Sequence, residues 1–172
     1  ENIEKNIVEQ AFEEGWITAN PPKVRTNKTV AVIGSGPAGL AAAQQLNRAG
    51  HYVIVFERDE KVGGLLRYGI PDFKMEKHVI DRRIKVLEAE GIIFKTNAHV
   101  GVNVDAGKLK EEFDAIVICG GATVRRNIPI PGADLKGVTQ AMDFLKLNNQ
   151  YVDGLVEFKD VISAEGKSVI VI

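Results

Sequence analysis

Residues 29–46, TVAVIGSGPAGLAAAQQL, set a continuous apolar run against three glycines and follow it with a helix-forming stretch. The apolar run lacks polar alternation, so it reads as a strand buried on both faces of a parallel sheet. Pro37 suits the first helical turn, and Gly50 suits the C-terminal cap of the helix formed by PAGLAAAQQLNRAG. YVIVFE follows as a second buried strand. A strand, a helix and a strand in this order require a right-handed crossover and parallel pairing. Few architectures accept such a unit.

The rest of the chain repeats the pattern. Val79, Ile80, Ile84 and Leu87 fall on one face of a helix within Met75–Gly91, and IIFKTNAHVG supplies a third strand and its exit. VDAGKLKEEF reads as a short helix capped by Asp105, and DAIVICGG as another apolar strand ending in paired glycines. AMDFLKLNNQYVDGL carries a further helix, and GKSVIVI reads as a fresh buried strand. Ahead of the first strand, Ile3, Ile7, Val8 and Phe12 mark a short amphipathic helix, stopped by Gly15 and Asn20-Pro21-Pro22. The predicted fold class is α/β, a Rossmann-like doubly wound parallel sheet of the FAD/NAD(P)-binding type, preceded by a short N-terminal helix. Phe12 and Trp16 are expected to anchor that helix, and Met75 to pack in the core or at a helix start.

In the loop Gly34-Ser35-Gly36-Pro37-Ala38-Gly39, each glycine has a separate task. Gly34 permits the tight turn, Gly36 lets backbone approach a pyrophosphate, and Gly39 lets the helix pack on the strand. The helix N-terminus then offers free N–H groups to phosphate oxygens. Glu57 ends the second strand, eighteen positions after Gly39, with Arg58 beside it. A carboxylate there accepts hydrogen bonds from a ribose diol and repels a 2′-phosphate, which favours FAD or NAD over NADP. The glycine pair Gly63-Gly64 within KVGGLLRYGIP separates those two. An extended FAD must pass a second loop on its way to the ring, whereas a simple NAD dehydrogenase needs no such pair.

Charge and composition exclude other classes. With 22 basic and 23 acidic residues, nothing favours nucleic acid or an anionic membrane. One cysteine, Cys119, excludes an intrachain disulfide and a Cys-x-x-Cys redox pair, and reads as a small buried hydrophobe. His51, His78 and His99 lack metal-ligand spacing, so no metal ligand and no catalytic side chain are assigned. No run is long and apolar enough to span a bilayer, and the expected compartment is the cytoplasm.

VAVIGSGPAGLAAAQQL, VFERDEKVGGLLRYGIPDFKM, NAHVGV and AIVICGGATVRRNIPIPG, in that order, resemble the flavin domain of the glutamate synthase small (beta) subunit. The wider group takes in adrenodoxin reductase-like and dihydropyrimidine dehydrogenase-like flavoproteins. The resemblance implies that backbone around Ala38 holds the pyrophosphate and that Glu57 binds the adenosine ribose. It also implies that Gly64-Leu65 reaches the second phosphate or ribityl region and that Val100 contacts adenine. Arg67 is a candidate near the ribityl chain or flavin, and Cys119-Gly120-Gly121 forms the glycine turn packed against the dinucleotide.

By the same resemblance, residues 1–27 are the last helix and linker of an iron-sulfur domain. Residues 28–147 are the first segment of the FAD domain, and 148–172 are a linker and the first strand of an NAD(P)H domain. The expected protein is then a fragment of an oxidoreductase that passes electrons from NAD(P)H through FAD to iron-sulfur clusters. The large subunit, its partner, forms glutamate from glutamine and 2-oxoglutarate. The fragment alone is expected to be inactive in the full reaction. Three alternatives stay open: the flavin domain of a ferredoxin-NADP oxidoreductase subunit, a simple NAD dehydrogenase, and a non-catalytic nucleotide-binding module.

Overall fold

Central to the computed structural model, which describes residues 2–122 and 124–172, is a parallel four-stranded sheet. The chain runs α1 (Asn2–Glu13), β1 (Thr29–Ile33), α2 (Pro37–Arg48), β2 (Tyr52–Phe56), α3 (Leu65–Tyr68), α4 (Lys77–Ala89), β3 (Ile93–Lys95), α5 (Ala106–Glu112), β4 (Ala115–Ile118) and α6 (Ala141–Val152). Strand order is β3-β2-β1-β4, with every pair parallel. Connections leave β1 toward one edge for β2 and return to its other side for β4. The chain therefore reverses direction across the sheet at β1, where doubly wound folds bind ligands.

The period of two along the strands sorts residues to the two faces. Val30, Val32, Val53 and Val55 pack with Leu40 and Ala43 of α2 and Ile80, Ile84 and Leu87 of α4. Ala31, Ile54, Phe56 and Ile116 point the other way, against Leu109 of α5, Ala98 and Phe113. Phe113 meets Phe56 edge-on, with ring centres 5.9 Å apart. Asp105 caps α5 as its position implied, accepting from the Gly107 and Lys108 amides. Met75 packs against the larger core cluster, in line with its expected role.

At the N-terminal edge of the sheet, Asp114 ties β4 to β1. It accepts from Lys28 Nζ at 2.7 Å and from the Thr29 amide at 2.8 Å. These donors hold its pKa at about 2, below the usual carboxylate range, with the Lys28 hydrogen bond the largest cause.

Three expectations are corrected. GKSVIVI forms no strand, and Val169, Ile170, Val171 and Ile172 lie exposed. An apolar run becomes a strand only when another strand satisfies its backbone, and none is paired to it among the described residues. Trp16 is 67% exposed, so its ring does not anchor the helix, and only its amide reaches α1, donating to Ala11 O at 2.8 Å. Instead α1 is held by Glu9, which takes two 2.6 Å hydrogen bonds from Arg82, and by Phe12, whose ring lies 4.1 Å from the same guanidinium. Helix α6 runs through residues 147 and 148 to Val152, with Asn149 and Gln150 buried. Finally, Leu65–Tyr68, read only as part of a glycine loop, forms a one-turn helix.

Candidate functional site: a glycine cradle at the sheet edge

Four loops leave the C-terminal ends of the strands and meet over β1. The loop after β1 carries Gly34, Ser35 and Gly36, and the loop after β2 carries Glu57, Arg58 and the Gly63-Gly64 pair. Val100 follows β3, and Gly120 and Gly121 follow β4. Backbone bonds continue past the strands to hold these loops together: Gly34 N donates to Phe56 O, Ala98 N to Glu57 O, and Cys119 N to Ile33 O, each at 2.8 Å.

The glycines divide by what a side chain would meet. At Gly39 a Cβ would lie 1.9 Å from Gly34 O, so helix α2 sits on β1 only because that atom is absent. Gly34 has φ +101° and backs onto Cys119 O, 2.4 Å from where its Cβ would be. Gly36 is different: its φ is −67° and nothing lies within 4 Å of a Cβ built there. Neither conformation nor internal packing requires glycine at 36. The open space lies at the start of α2, whose N-cap makes no side-chain hydrogen bond. The first amides of a helix have no intrahelical acceptor, so Ala38 and Gly39 present N–H groups where an anion gains from the helix dipole.

Gly64 packs directly against Gly36 beside that open space. Its φ of +52° favours glycine, and a Cβ there would come within 2.8 Å of Gly36 Cα. Gly120 and Gly121 likewise border open space. The residues present fit a dinucleotide pyrophosphate: a space lined by glycine, faced by uncapped amides, and closed by a second glycine loop.

Glu57 is buried beside this cradle, 4% exposed. Its carboxylate accepts from the Ser35 amide at 3.0 Å, from the Ser35 hydroxyl, and from the Asp59 amide at 2.9 Å. Ser35 Oγ also accepts from Gly63 N at 3.0 Å. One hydroxyl therefore ties the first glycine loop, the acid and the second glycine pair together. This organising role of Ser35 was not legible as such in the sequence. Val100 is partly buried among Ala98, Val104 and Phe113, at the side of the site toward β3. Arg58 stands at the surface, with Asp59 3.9 Å away.

Arg67 points into a polar network. It is 2% exposed, donates from Nε to Val62 O at 2.8 Å, and splits its other nitrogens between Asp153 (3.1 Å) and Asp81. Burial alone would lower its pKa, but the two carboxylates outweigh it and hold the guanidinium charged. The role suggested for Arg67 near the ribityl chain therefore has to compete with two internal carboxylates. Tyr68 beside it is kept neutral, its pKa raised chiefly by burial. Thr123, inside the GGATVRRNIPIPG segment, lies outside the described residues.

A doubly wound parallel sheet, a glycine turn over its central strand and a buried acid after the next strand together define a dinucleotide-binding α/β protein. The chain belongs to the pyridine nucleotide-disulphide oxidoreductase family, which it matches over residues 28–172. It is 53% identical over 174 residues to the glutamate synthase [NADPH] small chain of Mycobacterium tuberculosis, covering 99% of this chain and 36% of that one. The corresponding small chain of Bacillus subtilis is 54% identical over 172 residues, covering 99% and 35%. Among solved structures, Mycobacterium tuberculosis FprA in complex with NADPH aligns with a TM-score of 0.66 at 29% identity, over 75% of this chain and 31% of that one. The chain thus spans about a third of the length of these relatives. Among the described residues, no helix is long and apolar enough to cross a membrane.

Proposed function

We propose that this chain is the FAD-binding part of a glutamate synthase small subunit, working in the cytoplasm with a large subunit. The observation that carries the reading is Gly36: a glycine with ordinary backbone geometry, open space above it, and uncapped helical amides alongside. In this reading Gly34 and Gly39 fix the turn, and Gly36, Pro37 and Ala38 receive the pyrophosphate. Glu57, held by Ser35, takes the adenosine ribose, while Val100 borders the adenine. Gly64 and Leu65 guide the dinucleotide toward the ring, with Gly120 and Gly121 beside it. Arg58, exposed beside Glu57, is a further cofactor contact on the adenosine side, and Arg67 holds the second loop through Val62 O.

Held by these glycine loops and Glu57, FAD would supply hydride acceptance from a nicotinamide cofactor and one-electron transfer onward. The chain's own contribution is to bind, to orient, and to keep a 2′-phosphate out of the adenosine site by the charge of Glu57. Residues 1–27 belong in this scheme with an iron-sulfur domain, and the segment after α6 with an NAD(P)H domain. The test is the full polypeptide carrying this sequence, purified with its large subunit and reconstituted with FAD. NADPH or NADH should bleach the flavin absorbance without oxygen, and glutamine with 2-oxoglutarate should restore it while glutamate forms. A preparation that retains no flavin, or whose flavin neither nicotinamide bleaches, overturns the reading.

A further inference from the structure

Helix α6 lies outside the glycine loops, yet its polar side chains reach back to the segment that carries the second glycine pair. Lys146 Nζ donates to Asp59 Oδ1 at 2.6 Å, and Lys61 Nζ pairs with Asp153 Oδ1 at 3.2 Å. Asn149, 3% exposed, donates from Nδ2 to Tyr68 O at 3.0 Å. Asp153, at the C-cap of α6, takes Arg67 Nη1 at 3.1 Å. These contacts fall at both ends of one stretch: Asp59 and Lys61 before the glycine pair, Arg67 and Tyr68 after it. Between them lie Val62, Gly63 and Gly64, the turn that packs on Gly36.

We infer that α6 is a clamp on the dinucleotide site, with Asn149 and Asp153 as positioning residues that set where Gly64 stands relative to Gly36. The clamp acts through Arg67. Its Nε holds Val62 O, one residue before the glycine pair, while Asp153 and Asp81 hold its far end from α6 and α4. Asn149 fixes the end of α3 through a backbone carbonyl, so the one-turn helix cannot rotate without breaking a buried hydrogen bond. With Gly64 at φ +52° and its backbone against Gly36, small movements of α3 disturb the contact that borders the open space at the start of α2.

The inference rests on the reading that the cradle takes FAD, and the experiment separates the two. The full chain and its Asn149→Ala and Asp153→Asn variants are titrated with FAD and, separately, with 5′-AMP. AMP engages only the Glu57 and Gly36 side, whereas FAD must also pass Gly64. The clamp predicts that each variant weakens FAD about tenfold, equivalent to about 1.4 kcal/mol, while AMP affinity stays within about twofold. Lys146→Met, which loses the part-buried Asp59 pair and the cation–π contact with the Tyr68 ring 5.3 Å away but keeps the buried Asn149 and Asp153 contacts, should show the same pattern more weakly and serves if the buried variants fold poorly. Amide hydrogen exchange at Gly63, Gly64 and Leu65 should accelerate in every variant. Equal weakening of FAD and AMP, or unchanged FAD affinity, overturns the clamp. Failure of the unaltered chain to bind FAD instead overturns the proposed function.

Discussion

Two alanine substitutions three residues apart should have opposite consequences. At Gly39, a Cβ would stand 1.9 Å from Gly34 O, whereas real contacts of this kind keep beyond 3.0 Å. Helix α2 must therefore retreat from β1 by about 1 Å, and overpacking of this order costs about 1–3 kcal/mol. For a chain of this size that lowers Tm by about 3–10 °C. At Gly36, the new methyl meets nothing within 4 Å and the backbone is already at φ −67°. The loss of a favourable N-cap glycine, worth a few tenths of a kcal/mol or more, is offset by about 0.4–1 kcal/mol from the reduced entropy of the unfolded chain. Gly36→Ala should therefore melt within about 2 °C of the parent. Its methyl occupies the space assigned to the pyrophosphate, so FAD affinity should fall about 10- to 100-fold. Calorimetric melting of the ligand-free proteins and fluorescence titration with FAD measure both effects. If Gly36→Ala melts as early as Gly39→Ala, the space above Gly36 is not open. If it melts normally and binds FAD normally, that space is not where the phosphates go.

Glu57→Gln replaces an acceptor of three hydrogen bonds with a group that can also donate, so it should weaken FAD about tenfold or more and cost about 1–2 kcal/mol of stability, read by titration and urea unfolding. Asp114 carries a folded pKa of about 2 against an ordinary 3.8, so its contribution is fully present above 3.8 and lost as pH falls through about 2. Asp114→Asn should flatten the decline in urea midpoint between pH 5 and about pH 2, and an unchanged decline would refute the assignment. Helix α1 has no buried residue and twelve residues in all, too short to be stable alone. Arg82→Ala should therefore speed hydrogen exchange through α1 while leaving the strands protected, and uniform exchange across the chain would contradict that mode of attachment.

The elements legible in the sequence were those whose identity is local. Continuous apolar runs gave β1 and β2, the helical spacing of Ile80, Ile84 and Leu87 gave α4, and Asp105 announced α5. Gly34, Gly39 and Glu57 were readable because one motif fixes their spacing relative to a strand and a helix. What stayed hidden depends on distant partners. The hydroxyl of Ser35 matters because Glu57 and Gly63 both reach it, and Arg67 turns inward because Asp81 and Asp153 arrive from α4 and α6. Nothing in LLRY signals that the arginine will be buried. GKSVIVI shows the reverse error: a sequence with strand propensity stays irregular when no strand is paired to it.

Residue-resolved amide shifts of the full chain test most directly whether the cradle over β1 takes the pyrophosphate of FAD. Titration with FAD should move the Gly36, Ala38, Gly39, Gly64 and Leu65 amides most, saturably, with NADP⁺ at equal concentration moving them far less. Silence at those amides while FAD shifts others, or a larger and tighter response to NADP⁺, would contradict the account.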